Sequence, residues 1–394
     1  MAEPAPALAH LHANWNYPTA IRFGVGRIAE LPEACRALSM SRPLLVTDPG
    51  LAGLPMVGAA RDACTAAGLA CEVFSAVRGN PVEANVTAGV ASYRAGARDG
   101  VIALGGGSAL DAGKAIALMV GQQRALFDFE DRADWWTRVE VQGMAPVVAV
   151  PTTSGTGSEV GRAAVITDEH THTKKIVFHP RMLPAIVIAD PALTAGLPPG
   201  LTAAVGMDAL SHNLEAFASP LHHPMAQGIA LEGMRLIHRW LERACADGAD
   251  LEARAHMQVA STMGATAFQK GLGAMHSLSH PCGSVLDTHH GLTNAVVMPY
   301  VLAFNRAAIA DKLELLARTL ALPGSGYAAV MDWILGLRER IAIPHTLAEL
   351  GVREEHIATL APMAAADPSS PTNPVPLDEA ACATLYAHAI NGRL

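Results

Sequence analysis

Charged residues are scarce in this chain of 394 residues. Asp, Glu, Lys and Arg together make up 16% of the sequence, against about 25% in an ordinary globular domain. So low a charge content is typical of a chain that buries much of its length, and it excludes a disordered protein. The 28 basic and 36 acidic side chains give a net charge of −8 with neutral histidines, and no run of basic residues occurs. Nucleic acid and anionic membranes are therefore not expected partners.

Long apolar runs and closely spaced cysteine pairs are also missing. No apolar stretch approaches the roughly 18–20 residues that are needed to cross a bilayer. Residues 1–15 contain no Lys or Arg and no continuous apolar core, so we expect no secretory signal there. The six cysteines include no C-x-x-C pair. In a large chain they indicate free thiols and a cytoplasmic protein.

The sequence does contain a change of pattern near residue 193. Before it, short β-rich runs such as 43–47 and 100–104 alternate with helical stretches, which predicts a parallel sheet covered by helices. The runs 163–167 and 175–178 predict a hairpin. Beyond Asp190-Pro191, helix-period apolar residues continue to the C-terminus, except in a predicted loop over 362–375. We therefore predict an α/β domain over residues 1–193 and an all-α domain over residues 194–394.

Two loops rich in small residues follow predicted strands. The first, Gly105-Gly106-Gly107-Ser108, runs into a helical stretch with Asp111 and Lys114. Backbone N–H groups in such a turn can approach a phosphate, although the stretch matches neither G-x-G-x-x-G nor the P-loop. The second, residues 151–159, is dense in Thr, Ser and Gly. Each alone could be a simple turn, but two at the carboxyl ends of strands predict a nucleotide site.

Asp48 ends the predicted strand 43–47 and is a candidate for that site. A carboxylate at such a position commonly accepts hydrogen bonds from ribose hydroxyls. The alternative is an aspartate that caps a turn or a helix, because Pro49-Gly50 follows directly.

Histidines and one aspartate predict a metal site in the second half. Nine of the 17 histidines lie between His212 and His290. Asp208 and His212 are four residues apart, so they share one face of a helix, and His276 and His280 repeat this spacing. One carboxylate with several imidazoles suits Fe²⁺ or Zn²⁺. The spacing leaves open which of His276, His280, His289 and His290 are ligands, and whether Glu215 orients a ligand or is a solvated charge.

Taken together, these stretches resemble the iron-containing, metal-dependent alcohol dehydrogenases. The resemblance covers nearly the whole chain, and its motifs occur in the same order and spacing. The matching stretches are residues 105–108 with Asp111 and Lys114, residues 151–159, Asp190-Pro191, and residues 206–212, 276–281 and 290–295. The resemblance implies a Rossmann-like domain that binds NAD and an α-helical domain that binds metal and substrate, with the active site in the cleft between them.

The resemblance also implies roles for individual residues. Asp208, His212, His276 and His290 would hold the metal, which would be Fe²⁺ with Zn²⁺ as the alternative. His280 would lie beside the substrate and the nicotinamide and relay the proton, and His289 is not expected to be a ligand. The implied cofactor positions are Asp48, Gly105, Gly106, Gly107, Ser108, Asp111, Thr152, Thr153, Ser154, Thr156 and Lys175.

The reaction expected from the resemblance is NAD(H)-linked oxidation of a small alcohol or reduction of an aldehyde, by a homodimer or a higher homo-oligomer. Residues 269–273 and 372–374 resemble the branch that includes 4-hydroxybutyrate dehydrogenases. We therefore expect a short hydroxy acid, with Arg162 and Lys270 close to its carboxylate; the alternative is that both are surface charges. Rival hypotheses are a lyase or synthase on the same scaffold, a lactaldehyde or propanediol-type reductase, and a non-enzymatic sensor of metal and nucleotide.

Overall fold

The computed structural model describes residues 19–171 and 173–394. Residues 1–18, where the question of a secretory signal arises, lie outside the described residues, as does His172. The described chain forms two compact units: a sheet unit of residues 19–197 and 248–258, and a helical unit of residues 198–247 and 259–394. The boundary that the sequence predicts at residue 193 falls inside a short 3₁₀ helix, Pro191–Thr194. The sequence also assigns residues 248–258 to the all-α domain, whereas the structure groups them with the sheet unit.

The sheet unit is built on six parallel strands. The strands of the unit are β1 (Ala20–Phe23), β2 (Pro43–Val46), β3 (Glu72–Phe74), β4 (Gly100–Gly105), β5 (Val147–Pro151), β6 (Ala163–Asp168), β7 (Thr173–Phe178) and β8 (Ile186–Ala189). The large sheet has the order β1-β8-β5-β4-β2-β3. Strands β6 and β7 pair antiparallel, with Ala163 opposite Phe178, which confirms the predicted hairpin. The helices are α1 (Leu31–Ala37), α2 (Pro49–Ala52), α3 (Pro55–Ala66), α4 (Glu83–Ala95) and α5 (Gly107–Met119).

The central strands are apolar because helices cover both faces of the sheet. Every residue of β2, β4, β5 and β8 is buried, as expected for strands of a parallel sheet. From β2 the chain passes to β3 on one side, and from β4 it passes through α5 to β5 on the other. The strand order therefore reverses between β2 and β4. Open α/β sheets bind ligands at such a reversal, outside the carboxyl ends of the strands.

The helical unit consists of helices α6 to α14. They are α6 (Pro199–Ala218), α7 (Pro224–Ala246), α8 (Leu251–Ala267, whose first residues belong to the sheet unit), α9 (Ala274–Leu286), α10 (His290–Asn305), α11 (Ala310–Thr319), α12 (Gly326–Arg340), α13 (Ile357–Ala365) and α14 (Glu379–Asn391). Helix α6 is buried over almost all of its 20 residues. Small residues allow its neighbours to approach closely: a Cβ on Gly206 would lie 2.2 Å from Leu241 Cδ1.

The predicted fold class, a parallel α/β domain followed by a helical one, is confirmed. The predicted loop over 362–375 is wrong at its start, because α13 continues to Ala365 with Pro362 inside it. The rest of that segment contains one 3₁₀ turn, Ser370–Thr372. Among the described residues, none of the helices combines the length and the apolarity that a bilayer span requires.

Candidate active site

Three helices bring one carboxylate and three imidazoles to a single point in the helical unit. Asp208 and His212 come from α6, His276 from α9 and His290 from the first turn of α10. One potential ligand atom from each lies within 4.8 Å of those of the other three. The Nε2 atoms of His212 and His276 are 3.0 Å apart, close to the roughly 3.3 Å expected between two nitrogens of a tetrahedral zinc site.

The carboxylate of Glu215 orients one of these potential ligands, His276. Glu215 Oε2 lies 2.6 Å from His276 Nδ1, and Glu215 Oε1 accepts a bond of 2.6 Å from Met275 N. The carboxylate thus places a proton on Nδ1 of His276 and turns the Nε2 lone pair towards the cluster. Burial lowers the pKa of His276, but the hydrogen bond and charge of Glu215 raise it more, so it lies above its ordinary value.

The donor set fits a divalent cation better than it fits a network of hydrogen bonds. Asn294 Nδ2 lies 2.9 Å from Asp208 Oδ1, 3.3 Å from His276 Nε2 and 3.2 Å from His290 Nε2. An amide nitrogen carries only two hydrogens, so it cannot satisfy three acceptors. One carboxylate and three imidazole nitrogens, all buried except the partly exposed His290, are a ligand set that Fe²⁺ and Zn²⁺ accept.

Local structure explains why His290 joins the cluster and His289 does not. His289 caps α10 by accepting a hydrogen bond from Leu292 N, at 3.3 Å, and it stays exposed. The next residue, His290, therefore begins the helix on the side of α6. Gly291 makes this approach possible, because a Cβ there would lie 2.6 Å from Ala204 O and 2.9 Å from Asp208 Cβ.

His280 lies one turn beyond His276 on α9 and stacks on His290, with ring centroids 5.3 Å apart. Its Nδ1 is 2.8 Å from Oδ2 of Asp367, a residue that follows α13. Burial raises the pKa of Asp367, but the charge and hydrogen bond of His280 lower it more, so it lies below its ordinary value. No sequence pattern indicates this role of Asp367, because nothing in the spacing of a loop residue connects it with a helix residue 87 positions away.

Most of the predicted cofactor positions lie at the carboxyl ends of β2, β4 and β5, whereas Asp111 lies on α5 and Lys175 on β7. Thr152 N donates to Gly105 O, at 3.0 Å. A Cβ on Gly107 would lie 2.5 Å from Thr156 Oγ1, and one on Gly106 would lie 3.3 Å from Thr153 Cγ2. The two loops are therefore in contact, beside the N-terminus of α5. Backbone N–H groups at the start of a helix of 13 residues are suited to a phosphate.

Asp48 stands at the reversal of the sheet and also caps a helix. Its Oδ1 accepts a bond of 3.0 Å from Leu51 N and so caps α2. Its Oδ2 faces Gly105, at 3.6 Å from where a Cβ would be. The capping role, which the sequence left as an alternative, is present, and one carboxylate oxygen points towards the glycine turn.

Asp111 and Lys114 form hydrogen bonds and an ion pair within the protein. Asp111 is buried and accepts bonds from Ser158 Oγ, at 2.5 Å, and Val165 N, at 2.9 Å. Lys114 Nζ donates to Ser158 O at 2.9 Å and lies 3.1 Å from Asp111 Oδ1. Both residues hold the end of the second loop against α5. Lys175, another predicted cofactor residue, lies on β7, where its Nζ is 2.6 Å from Asp168 Oδ2.

Comparison with known proteins decides the family. The profile of the iron-containing alcohol dehydrogenases matches residues 18–191, and the profile of the C-terminal domain of the same family matches residues 202–390. The chain belongs to the iron-containing alcohol dehydrogenase family. It is an oxidoreductase of alcohols or aldehydes, and its predicted family is confirmed.

Relatives of this alcohol dehydrogenase cover nearly its whole length. A 4-hydroxybutyrate dehydrogenase of Cupriavidus necator is 40% identical over 91% of this chain and 94% of its own. A 1,3-propanediol dehydrogenase of Klebsiella pneumoniae is 34% identical over 93% of this chain and 96% of its own. The crystal structure of a 1,3-propanediol oxidoreductase superposes with a TM-score of 0.91 at 34% identity, over 96% of this chain and all of that one.

The two cations predicted to hold a substrate carboxylate have different surroundings in this alcohol dehydrogenase. Arg162 is half-buried in the sheet unit, with its guanidinium 5.6 Å from the centre of the Phe178 ring. Lys270 is 2% exposed, and its Nζ donates to Phe217 O at 3.1 Å and Ser219 O at 2.8 Å, at the C-terminal end of α6. The structure contradicts the alternative that Lys270 is a surface charge. The Lys270 ammonium is bound to helix carbonyls.

Proposed function

We propose that this alcohol dehydrogenase is NAD(H)-linked and that Asp208, His212, His276 and His290 hold its divalent metal. The observation that carries the proposal is the cluster of four potential ligand atoms, three of them from buried residues, with Glu215 and Asn294 hydrogen-bonded to its members. A divalent ion at such a site supplies a Lewis acid that polarises the substrate oxygen. Fe²⁺ is the proposed native ion, as the family name indicates, and Zn²⁺ accepts the same ligands.

The protein's own groups would orient the cofactor and move the proton. The contacting loops 105–108 and 151–159 would take the diphosphate on backbone N–H groups and hydroxyls, and Asp48 would accept a ribose hydroxyl. Asp111 and Lys114 would act indirectly, by holding the second loop in place. His280, whose Nδ1 faces Asp367, would exchange a proton through its Nε2.

We further propose a short aldehyde or alcohol with a carboxylate at its far end, such as succinic semialdehyde and 4-hydroxybutyrate. The similarity to a 4-hydroxybutyrate dehydrogenase supports this substrate class. Arg162 remains the candidate for the carboxylate contact, since a guanidinium can bind a carboxylate through two hydrogen bonds. Lys270 is not proposed for this role, because it is 2% exposed and two of its three N–H groups bind carbonyls at the end of α6.

The test compares catalytic efficiency with succinic semialdehyde and with butanal, using NADH and protein loaded separately with Fe²⁺ and Zn²⁺. A charge-assisted contact of roughly 1.5–3 kcal/mol should favour the acid about ten- to a hundred-fold. Arg162→Ala should remove this preference, whereas Arg181→Ala, an exposed cation of the same unit, should keep it. Equal efficiencies in the wild type would exclude an anion pocket and favour a neutral substrate such as a propanediol.

We also propose a cytoplasmic homodimer. Strand β1 is an edge of the described sheet, and it leaves Ile21 and Phe23 exposed, at 37% and 41%, with Val25 at 55% just beyond it. An apolar edge strand is a ready surface for pairing with a second chain. The six free cysteines are consistent with a reducing compartment. Sedimentation measurements should give the mass of two chains, and Phe23→Lys should lower it.

A further inference from the structure

The segment that follows α13, residues 366–375, is hydrogen-bonded to the start of α9. Thr372 Oγ1 donates to Leu272 O at 2.7 Å, and Asn373 Oδ1 accepts a bond of 3.1 Å from Ala274 N. Asn373 also exchanges two bonds of 2.9 Å with Asn305 on α10. The segment is therefore fixed to the two helices that carry His276 and His290.

Asp367 is fixed at the beginning of this segment. Its Oδ1 accepts a hydrogen bond of 2.8 Å from Ser369 N, and its own backbone O accepts one of 3.0 Å from Ser370 N. The side chain is 8% exposed. Its other oxygen, Oδ2, faces His280 Nδ1 at 2.8 Å.

The orientation of the His280 ring is not fixed by its stacking alone, and a hydrogen-bond partner such as Asp367 is required to fix it. Stacking on His290, with an interplanar angle of 13°, fixes the plane of the ring. Stacking does not decide which of the two nitrogens faces which way, nor which of them carries the proton. A carboxylate at Nδ1 decides both, because it accepts the Nδ1 proton and leaves the lone pair on Nε2.

We infer that Asp367 is a positioning residue that holds His280 in the Nδ1-protonated form, with Nε2 directed away as the proton acceptor. The inference rests on the proposed role of His280 in the reaction. Asp367 itself is outside the cluster of four ligand atoms. It would act on turnover through His280 alone, and neither metal retention nor substrate binding would depend on it.

The kinetic test is a double-mutant cycle with His280→Ala, Asp367→Ala and the double variant, all loaded with the same metal. Asp367→Ala should lower kcat about ten- to a hundred-fold, the range seen when orienting partners are removed, with little change in KM or metal content. In the His280→Ala background, Asp367→Ala should have no further effect. Asp367→Asn should not recover the loss, because its single oxygen would accept the bond from Ser369 N and its amide nitrogen would face His280 Nδ1 as a donor, which favours the other tautomer.

Thr372→Val is the matched control, since it removes an anchor of the same segment without touching His280. A loss in Thr372→Val as large as in Asp367→Ala would overturn the inference in favour of a structural role of the segment. Losses that multiply in the double variant would overturn it too, as would loss of metal from Asp367→Ala.

A second readout separates this inference from the proposed function. Imidazole nitrogen NMR of the metal-free protein, with the His280 signals assigned by their absence in His280→Ala, reports the tautomer without any turnover. We expect protonated Nδ1 in the wild type and a mixture of tautomers in Asp367→Ala. Protonated Nδ1 in both proteins would refute the inference. Absence of NAD-linked turnover in a wild type with the expected tautomer would instead refute the proposed function.

Discussion

At the scale of single residues, the three neighbouring histidines His276, His280 and His289 have three different environments. His276 belongs to the cluster of four ligand atoms, His280 faces Asp367, and His289 caps α10. We expect His276→Ala to lose bound metal and activity together, and His280→Ala to keep the metal but lose turnover. His289→Ala should keep both, at a cost of about 0.5–2 kcal/mol in stability from the lost cap.

Metal content measured by plasma emission, alongside NADH-linked activity, checks all three variants. If His280→Ala released the metal, the set of ligands proposed here would be wrong.

The choice between NAD and NADP is tested more sharply by replacing Asp48 with Asn than by replacing it with Gly. A carboxylate that accepts a ribose hydroxyl would repel the 2′-phosphate of NADP, and like-charge contacts at an interface cost several kcal/mol. The wild type should therefore prefer NAD strongly. Asp48→Asn should narrow the preference while keeping the cap of α2, because Asn and Asp are similar caps. Asp48→Gly should also narrow the preference for NAD over NADP, but it removes the side-chain cap and therefore destabilises α2.

Catalytic efficiencies with NAD and NADP, measured for all three proteins, decide this point. A wild type that uses both cofactors equally well would refute the proposed role of Asp48.

At the scale of elements, two lysines from other parts of the chain bind the carbonyl groups at the C-terminal end of α6. Lys270 Nζ and Lys312 Nζ each donate to Ser219 O at 2.8 Å, and Lys312 Nζ also donates to Ala218 O at 2.8 Å. Two lysines thus donate hydrogen bonds at the negative end of a helix that bears Asp208, His212 and Glu215. Burial, and then the charge of Lys312, lowers the pKa of Lys270 to about 7.

The lowered pKa of Lys270 predicts a dependence of stability on pH. In the unfolded chain the pKa returns to its ordinary 10.5, so between about 7 and 10.5 the unfolded state binds more protons than the folded state. The free energy of unfolding should therefore rise with pH in this window, by up to about 1.4 kcal/mol per unit, and should not depend on this group below it.

Lys270→Met should remove this rise. Urea unfolding between about pH 7 and pH 9.5 measures it, with Arg393→Met as a control that removes an exposed cation. An equally steep rise in Lys270→Met and in the wild type would contradict the prediction.

Elements with a regular apolar pattern were predictable from the sequence, and individual tertiary partners were not. The central parallel strands are continuous apolar runs and β6 alternates between buried and half-buried residues, so both leave a signal in the sequence. The four-residue spacings brought Asp208 next to His212, because a helix repeats at that distance. Asp367 and the burial of Lys270 left no such signal, because both depend on backbone and ring atoms that only the folded chain brings near.

At the scale of the whole molecule, the metal should stabilise one unit selectively. Its proposed ligands come from α6, α9 and α10, all in the helical unit. A ligand at a hundred times its Kd stabilises the folded state by about 2.7 kcal/mol. Removal of the metal by a chelator should therefore increase amide hydrogen exchange in these three helices, and leave β2, β4 and β5 unchanged.

Hydrogen exchange followed by mass spectrometry resolves the two units within one sample. Equal increases in both would indicate that the metal acts on global unfolding, and no increase in the helical unit would argue against the ligand set.

Helix α9 carries His276, which belongs to the cluster of four ligand atoms, and His280, which faces Asp367, one turn apart. Inserting one residue between them would rotate the rest of the helix by about 100° relative to His276, so the two histidines could no longer keep both arrangements at once. Deleting one would do the same in the opposite sense. Descendants of this chain can therefore exchange side chains along α9 but cannot change its length there. Variation in length should accumulate instead in exposed turns, such as the one between α11 and α12, where no site residue depends on the count.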